Sequence, residues 1–229
     1  MAEKKHLLFL LILAMGFCAS HLATAEEQFS LNAGIGGDFS VLFDVEKNHN
    51  TFAPQIMPVG GVSVFFDATY VEVTVAMVWG SKMTFVYPYD PAGISFSLNH
   101  IGFSLYGKYP FVLKKLTIYP MLGVDYHVLL SAQVKDAEDN DSGGKIKRGD
   151  SIGGGYKVED QFDYLSLGLG VGLDVPLPKS FFIRSEFILH YVFDSTIASD
   201  RREYAKKFDY DYSSIIFGPQ VKFAVGYRF

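Results

Sequence analysis

Cysteine and tryptophan occur once each in this 229-residue chain. The single cysteine, Cys18, lies in the first 25 residues, so the rest of the chain has no disulfide framework and no thiol chemistry. Excess positive charge is also missing. The formal net charge is −5, which gives no electrostatic support to a nucleic-acid partner. No apolar run reaches the roughly 20 residues that a membrane-spanning helix needs, although 49% of the residues are hydrophobic. Apolar residues at that density without long runs have to be distributed by alternation. Glycine (22), phenylalanine (21) and tyrosine (14) are what the chain has in quantity, a composition suited to strands with small residues on one face and aromatics on the other.

The first segment reads as an export signal. Lys4 and Lys5 form a basic start, 7–17 is an apolar core too short to span a bilayer as a helix, and Ala23-Thr24-Ala25 is a small-x-small cleavage site. The expected division is therefore a cleaved signal peptide over 1–25 and one domain over 26–229.

The end of the chain carries the strongest pattern. Over 213–229, Ile215, Phe217, Pro219, Val221, Phe223, Val225, Tyr227 and Phe229 alternate with Ser214, Ile216, Gly218, Gln220, Lys222, Ala224, Gly226 and Arg228, a set small or polar but for Ile216. A period of two over seventeen residues is longer than an ordinary strand and fits a tilted transmembrane strand, one face to lipid and one to a lumen. In lipid every backbone N–H and C=O must be paired within the protein, so such strands have to close into a barrel. Similar segments lie at 28–43, 56–67, 70–79, 95–109, 116–128, 165–175 and 181–193, which makes eight with the last. Short connections are expected near 67–68, 110–115 and 176–179, and long polar loops at 44–55, 82–94, 134–160 and 198–211. Pro120, without a ladder donor, suggests a bulge in the fifth strand. The fold class expected is all-β: an eight-stranded antiparallel up-and-down transmembrane barrel. Transmembrane barrels keep short turns in the periplasm and long loops outside, so both mature termini should be periplasmic in a bacterial outer membrane.

Phe223, Val225, Tyr227 and Phe229 resemble the C-terminal insertion signal of bacterial outer-membrane barrels, and this resemblance implies recognition by the barrel-assembly machinery. The 26–229 segment as a whole resembles the small outer-membrane barrels of the OmpX, OmpW and OmpA-membrane-domain type. No periplasmic extension is expected after Phe229, so the resemblance does not imply peptidoglycan anchoring.

Parity places an unusual set of charges in the lumen: Asp38, Glu72, Lys108, Asp125, Asp174, Arg184, Glu186, Lys222 and Arg228, with His100, His127 and His190. Eight strands leave an interior just wide enough for side chains or one small ligand. Unpaired charges there are costly, so a network of ion pairs is expected, with a narrow conduit as the alternative. The histidines invite a zinc site, but neither their spacing nor a fourth ligand supports one. Ser131 and His127 share one face of the fifth strand, with Asp136 and Glu138 beyond, which is not triad geometry. The glycine runs at 34–37 and 168–172 lack the strand–turn–helix context of a phosphate loop. No catalytic residue, cofactor or metal is expected. The first expectation is a monomeric, non-enzymatic protein that contacts outer-membrane lipid, serves envelope integrity, and meets surface or host ligands through its loops. The second, implied by the OmpW resemblance, is a route for small or hydrophobic solutes. A lipid-modifying enzyme of the outer leaflet is the third.

Overall fold

The computed structural model describes residues 30–48, 51–87, 90–135, 141–151, 157–193 and 212–229. The expected signal peptide and the 198–211 loop lie outside them. Its strands are β1 (Leu31–Asn48), β2 (Thr51–Ala68), β3 (Val71–Tyr87), β4 (Asp90–Lys108), β5 (Phe111–Leu113), β6 (Leu116–Lys135), β7 (Asp141–Lys147), β8 (Tyr164–Pro176), β9 (Phe181–Val192) and β10 (Tyr212–Arg228). Eight of them hydrogen-bond around a ring in the order β4-β3-β2-β1-β10-β9-β8-β6, and β4 pairs back onto β6 to close it. All the pairings are antiparallel, and β1 meets β10 from Asn32↔Arg228 to Asn48↔Tyr212. The two short strands, β5 and β7, attach to β6 outside the ring.

Closure leaves no edge strand in the wall, which satisfies the backbone without water. The side chains then sort by parity. Ile35 (68% exposed), Phe66 (67%) and Leu169 (59%) point out of the barrel, whereas Glu72, Tyr106, Tyr119, Arg184 and Ile188 are all at or below 1%. An apolar outer wall with a polar interior inverts the order of a soluble protein and matches a barrel solvated by lipid. The interior is packed by seating large side chains over glycines. A Cβ at Gly168 would collide with Tyr106, one at Gly172 with Tyr119, and one at Gly226 with Phe182.

Three turns lie at one rim: Thr69-Tyr70, Lys114-Lys115 and 177–180. Thr69, Lys114, Lys179 and Ser180 all have positive φ (46–64°), the backbone that tight hairpins between right-twisted strands require. Both ends of the described barrel are at this rim. Thr69 N–H donates to Ser30 O (3.1 Å), and Arg228 N–H to Ser180 O (2.9 Å).

The structure corrects several boundaries. Residues 44–48 and 51–55, expected as loop, continue β1 and β2, paired from Asp44↔Gln55 to Asn48↔Thr51. Most of 82–94 likewise belongs to β3 and β4, with register shifts between Val78 and Ser81 and between Phe85 and Tyr87, and Gly80 (φ +89°) sits in the first. At 17 to 19 residues, β1–β4 are longer than the roughly 9–11 residues that a tilted strand needs to cross a bilayer, so they project past it. The 110–115 connection contains β5. The 134–160 segment contains β7 and a short helix, Val158–Phe162. The first turn is Thr69-Tyr70 rather than 67–68, so Asp67 belongs to β2 and faces inward at 3% exposure. No bulge forms at Pro120, which pairs in register with Val171. Its carbonyl accepts from Tyr109 N–H, so its missing donor faces the place where β4 has already ended.

Candidate functional site

The lumen is built in layers, starting from the short-turn rim. Arg184, near the start of β9, is the centre of the first. It pairs in register with Asp174 on β8, and β9 also carries Glu186, register partner of Lys222 on β10. On the opposite wall the β2–β3 hairpin sets Asp67 against Glu72, and β4 ends at Lys108. Arg184 crosses the lumen to join these walls. Nε and Nη2 grip Asp174 at 2.8 and 2.7 Å, Nη1 donates to Glu72 at 2.6 Å, and Nη2 donates to Asp67 at 2.5 Å. Lys108 Nζ donates to Asp67 and stands 3.5 Å from Glu72. Tyr119 O–H donates to Glu186 at 2.8 Å. Phe65 and Phe182 lie against the guanidinium from two adjacent sides, at 4.5 and 5.1 Å from their ring centres. A planar, always-charged guanidinium suits this place, because it satisfies several carboxylates at fixed angles and tolerates aromatic faces.

Above this layer Tyr106 O–H donates to Asp125 at 2.5 Å, and His190 Nδ1 lies 3.3 Å from the same carboxylate. His190 Nε2 meets Gln220 Oε1 at 2.9 Å, and Ser166 Oγ is 3.4 Å from Nδ1. Ser166, His190 and Asp125 thus converge, but not as a nucleophile, base and orienter. Serine and aspartate both meet Nδ1 while glutamine meets Nε2, so the carboxylate is not on the ring nitrogen opposite the hydroxyl, where a triad places its orienter. Ser131 instead accepts a hydrogen bond from Asn99 Nδ2 at 3.2 Å.

Next comes a chamber of about 30 Å³ whose lining includes Asp38, Ser40, His127, Tyr164 and Ser166. His127 stacks on Tyr164 with ring centres 4.4 Å apart, and His100 meets the same tyrosine edge-on at 5.6 Å. His100 Nε2 is committed to Phe162 O at 3.1 Å. The three histidines therefore have separate roles, and among the described residues no group of three His, Cys, Asp or Glu side chains is placed to hold a metal ion.

The last layer is apolar. The short helix Val158–Phe162 turns Val158 (0% exposed) and Phe162 (4%) onto Leu98, Leu129 and Ala132, and Phe162 packs on Phe96 with centres 5.4 Å apart. Two polar clasps hold it. Asp163 accepts from Leu129 N–H at 2.7 Å and from Arg148 Nη1 at 2.9 and 3.0 Å. Glu159 accepts from Gly149 N–H at 2.7 Å. Asp163 raises the Arg148 pKa through the hydrogen bond, and the Gly149 N–H holds the Glu159 carboxyl below its usual 4.5. Because its folded pKa is lowered, the Glu159 contribution is complete above pH ~4.5 and lost as pH falls through the lower folded value. The protection factors of the amides at 149–151 and 157–163 are therefore expected to fall on acidification in the protein, and to be low at all pH values in Glu159→Gln.

Of the charges expected inside, the structure gathers Glu72, Lys108, Asp174, Arg184 and Glu186 in the first layer and Asp125 in the second. Lys222 lies beside them, its Nζ 3.9 Å from Glu186 and 5.5 Å from the Tyr106 ring centre. Asp38 stays apart in the chamber wall. Arg228 is exposed at the rim and bonds Asn32 Oδ1 at 3.3 Å. Asp67, Tyr106 and Tyr119 are network members that sequence reasoning did not single out. Asp67 has the parity of inward-facing Ser63, but its position beside a hairpin read as turn chemistry. Phe223, Val225, Tyr227 and Phe229 all lie on the outer face, with Phe229 77% exposed.

The sequence matches no protein-family model and no curated protein sequence. Solved structures with a similar chain path are small outer-membrane barrels. Ail, the attachment invasion locus protein of Yersinia pestis, solved with the heparin analogue sucrose octasulfate, is 13% identical, with a TM-score of 0.42 over 89% of this chain and 100% of its own. Neisserial surface protein A is 14% identical, with a TM-score of 0.43 over 89% and 100%. The N-terminal barrel domain of Pseudomonas aeruginosa OprF is 12% identical, with a TM-score of 0.39 over 88% and 100%.

Proposed function

We propose that this membrane barrel is a non-enzymatic bacterial outer-membrane protein with a lumen closed by its own side chains, acting through the rim opposite its short turns in envelope integrity and surface contacts. The observation that carries the reading is the Arg184 cluster, in which one guanidinium bridges Asp67, Glu72 and Asp174 from opposite walls. A solute passing through would have to break these charge-assisted bonds in a place where water cannot replace them. The apolar layer around Phe162 closes the other end. With both ends shut, the accessible chemistry is on the projecting strands and β7, whose Lys145 and Lys147 are exposed. In this reading the signal peptide over 1–25 is removed, the outward Phe223, Val225, Tyr227 and Phe229 serve insertion, and both mature termini are periplasmic.

The reading is tested in cells. The chain after residue 25 contains no cysteine, so Lys147→Cys and Lys179→Cys each create a single label site. A membrane-impermeant maleimide added to whole cells is expected to label Lys147→Cys and to leave Lys179→Cys unlabelled until the outer membrane is permeabilised. The opposite pattern would invert the orientation and remove the rim from the surface. For the role itself, replacing 136–160 by a short turn is expected to abolish complementation of an envelope defect in a strain lacking the protein. Glu72→Gln is expected to leave complementation intact. The reverse result would assign the function to the lumen.

A further inference from the structure

The rim that carries the three short turns exposes charges of one sign. Lys114 and Lys115 form the β5–β6 turn, Lys179 lies in the β8–β9 turn and Arg228 ends β10, and all four are exposed. The carboxylates at this level, Asp67, Glu72 and Asp174, are at or below 5% exposure and are bound inside the lumen by Arg184. None of the four exposed cations has an ion-pair partner among the described residues, and no exposed acidic side chain stands beside them. The opposite rim is mixed: exposed Lys145 and Lys147 stand with exposed Asp150, and Arg148 is paired with Asp163.

The wall under these cations is aromatic and apolar. Tyr109 meets Phe111 at 4.9 Å and Tyr70 at 6.3 Å, and Tyr227 meets Phe181 at 5.2 Å and Phe229 at 5.3 Å. Such rings mark the depth at which hydrocarbon gives way to headgroups. The β5–β6 hairpin adds a second sign. β5 pairs with β6 alone, and Phe111 (49% exposed), Val112 (74%) and Leu113 (55%) are open on both of its faces. Phe111 and Leu113 pair with Ile118 and Leu116 on the outward side of β6, so their face continues the lipid-facing wall. A hairpin apolar on both faces and lysine-tipped is suited to a membrane surface, not to open water.

We propose that this rim gathers anionic glycerophospholipid from the leaflet around it, with the headgroup phosphates drawn to Lys114, Lys115, Lys179 and Arg228. Long cationic side chains lay their stems along apolar surface and carry the charge to the headgroups. Lys179 stands between exposed Leu177 and Phe181, and the two hairpin lysines between exposed Leu113 and Leu116. Each such cation attracts anionic headgroups over about one Debye length. A zwitterionic headgroup also has a phosphate, but its own cation cancels the charge, so the rim selects for net negative lipid. A soluble polyanion would meet the lysines and leave the apolar hairpin in water, which is why the occupant is a lipid. The inference rests on the lipid-facing wall and not on which rim faces the cell exterior.

The test reads lipid contact by fluorescence quenching. Trp79 is the single tryptophan and stands far along β3 from this rim, where β3 starts at Val71. Trp79→Phe combined with Val112→Trp moves the reporter onto the hairpin. The 26–229 chain is refolded into phosphatidylcholine vesicles that contain brominated phosphatidylglycerol or brominated phosphatidylcholine, with the same lipid in both leaflets. At low salt the hairpin tryptophan is expected to select phosphatidylglycerol by about threefold or more in relative binding constant. The preference is expected to vanish in high salt and in Lys114→Gln/Lys115→Gln/Lys179→Gln. Trp79 in the parent is expected to show a smaller preference. Equal quenching of the hairpin tryptophan by the two lipids overturns the proposal, as does a preference equal at both reporters or unchanged in the triple variant. If the triple variant does not refold, a preference that persists in high salt overturns it. Binding of the detergent-solubilised protein to purified peptidoglycan, lost in the triple variant and without any lipid preference, would overturn it in favour of a cell-wall polymer.

Discussion

Arg184→Met is expected to lower folding stability by about 3–5 kcal/mol, measured by urea unfolding in lipid vesicles. The loss is not that of one ion pair. The substitution preserves much of the volume beside Phe65 and Phe182 but strands Asp67, Glu72 and Asp174 without the cation that bridges them. Lys108 can still hold Asp67, and Tyr119 can still turn toward Asp174, at 3.4 Å in the native barrel, so the first layer does not lose every partner. A second substitution separates the two contributions. Asp174→Asn in the Arg184→Met background is expected to recover part of the loss, because it removes a buried charge that has no counter-charge left. The same Asp174→Asn in the parent is expected to destabilise. A coupling energy near zero in this double-mutant cycle would mean that the two side chains do not share a network. Arg184→Lys is expected to rescue poorly, since one ammonium cannot donate along the separate directions now used toward three carboxylates.

Leu169→Arg is the second large effect expected, about 2–4 kcal/mol of destabilisation in bilayers. Leu169 sits halfway along β8, 59% exposed, between outward Leu167 and Val171. In a water-soluble protein an exposed leucine could take a charge at almost no cost, so the size of the loss measures the solvent around the wall. The same substitution near the rim, Leu177→Arg, is expected to cost under about 1 kcal/mol, because the side chain can reach the interface. Equal small costs at both positions would contradict a lipid-facing belt.

The division of each strand into a lipid face and a lumen face was legible in the sequence because a period of two is a local property. Leu165, Leu167 and Leu169 opposite Ser166, Gly168 and Gly170 need no partner strand to be read. Depth along the barrel was not legible. It depends on the stagger between strands, and that stagger decides that Arg184 meets Glu72 across 112 residues. The projecting ends of β1–β4 were missed because hydrophobic alternation reports lipid, not hydrogen bonding. Outside the bilayer a strand can carry polar residues on both faces. The helix over Val158–Phe162 did leave a trace: Val158 and Phe162 stand four apart in a polar tract, the spacing of one helical face. Five residues are too few for that trace to outweigh the surrounding glycines and charges. The seats of Tyr106 and Tyr119 were half visible. Abundant inward glycines signalled a crowded lumen, but which aromatic fills which glycine is again a matter of stagger.

The closed lumen is tested most directly by single-channel recording of the refolded 26–229 chain in a planar bilayer, with insertion and folding verified independently. The account predicts a silent bilayer for the parent protein. Reproducible conductance steps, altered by Glu72→Gln or Arg184→Gln, would mean that the inward charges line a conduit, and would contradict it.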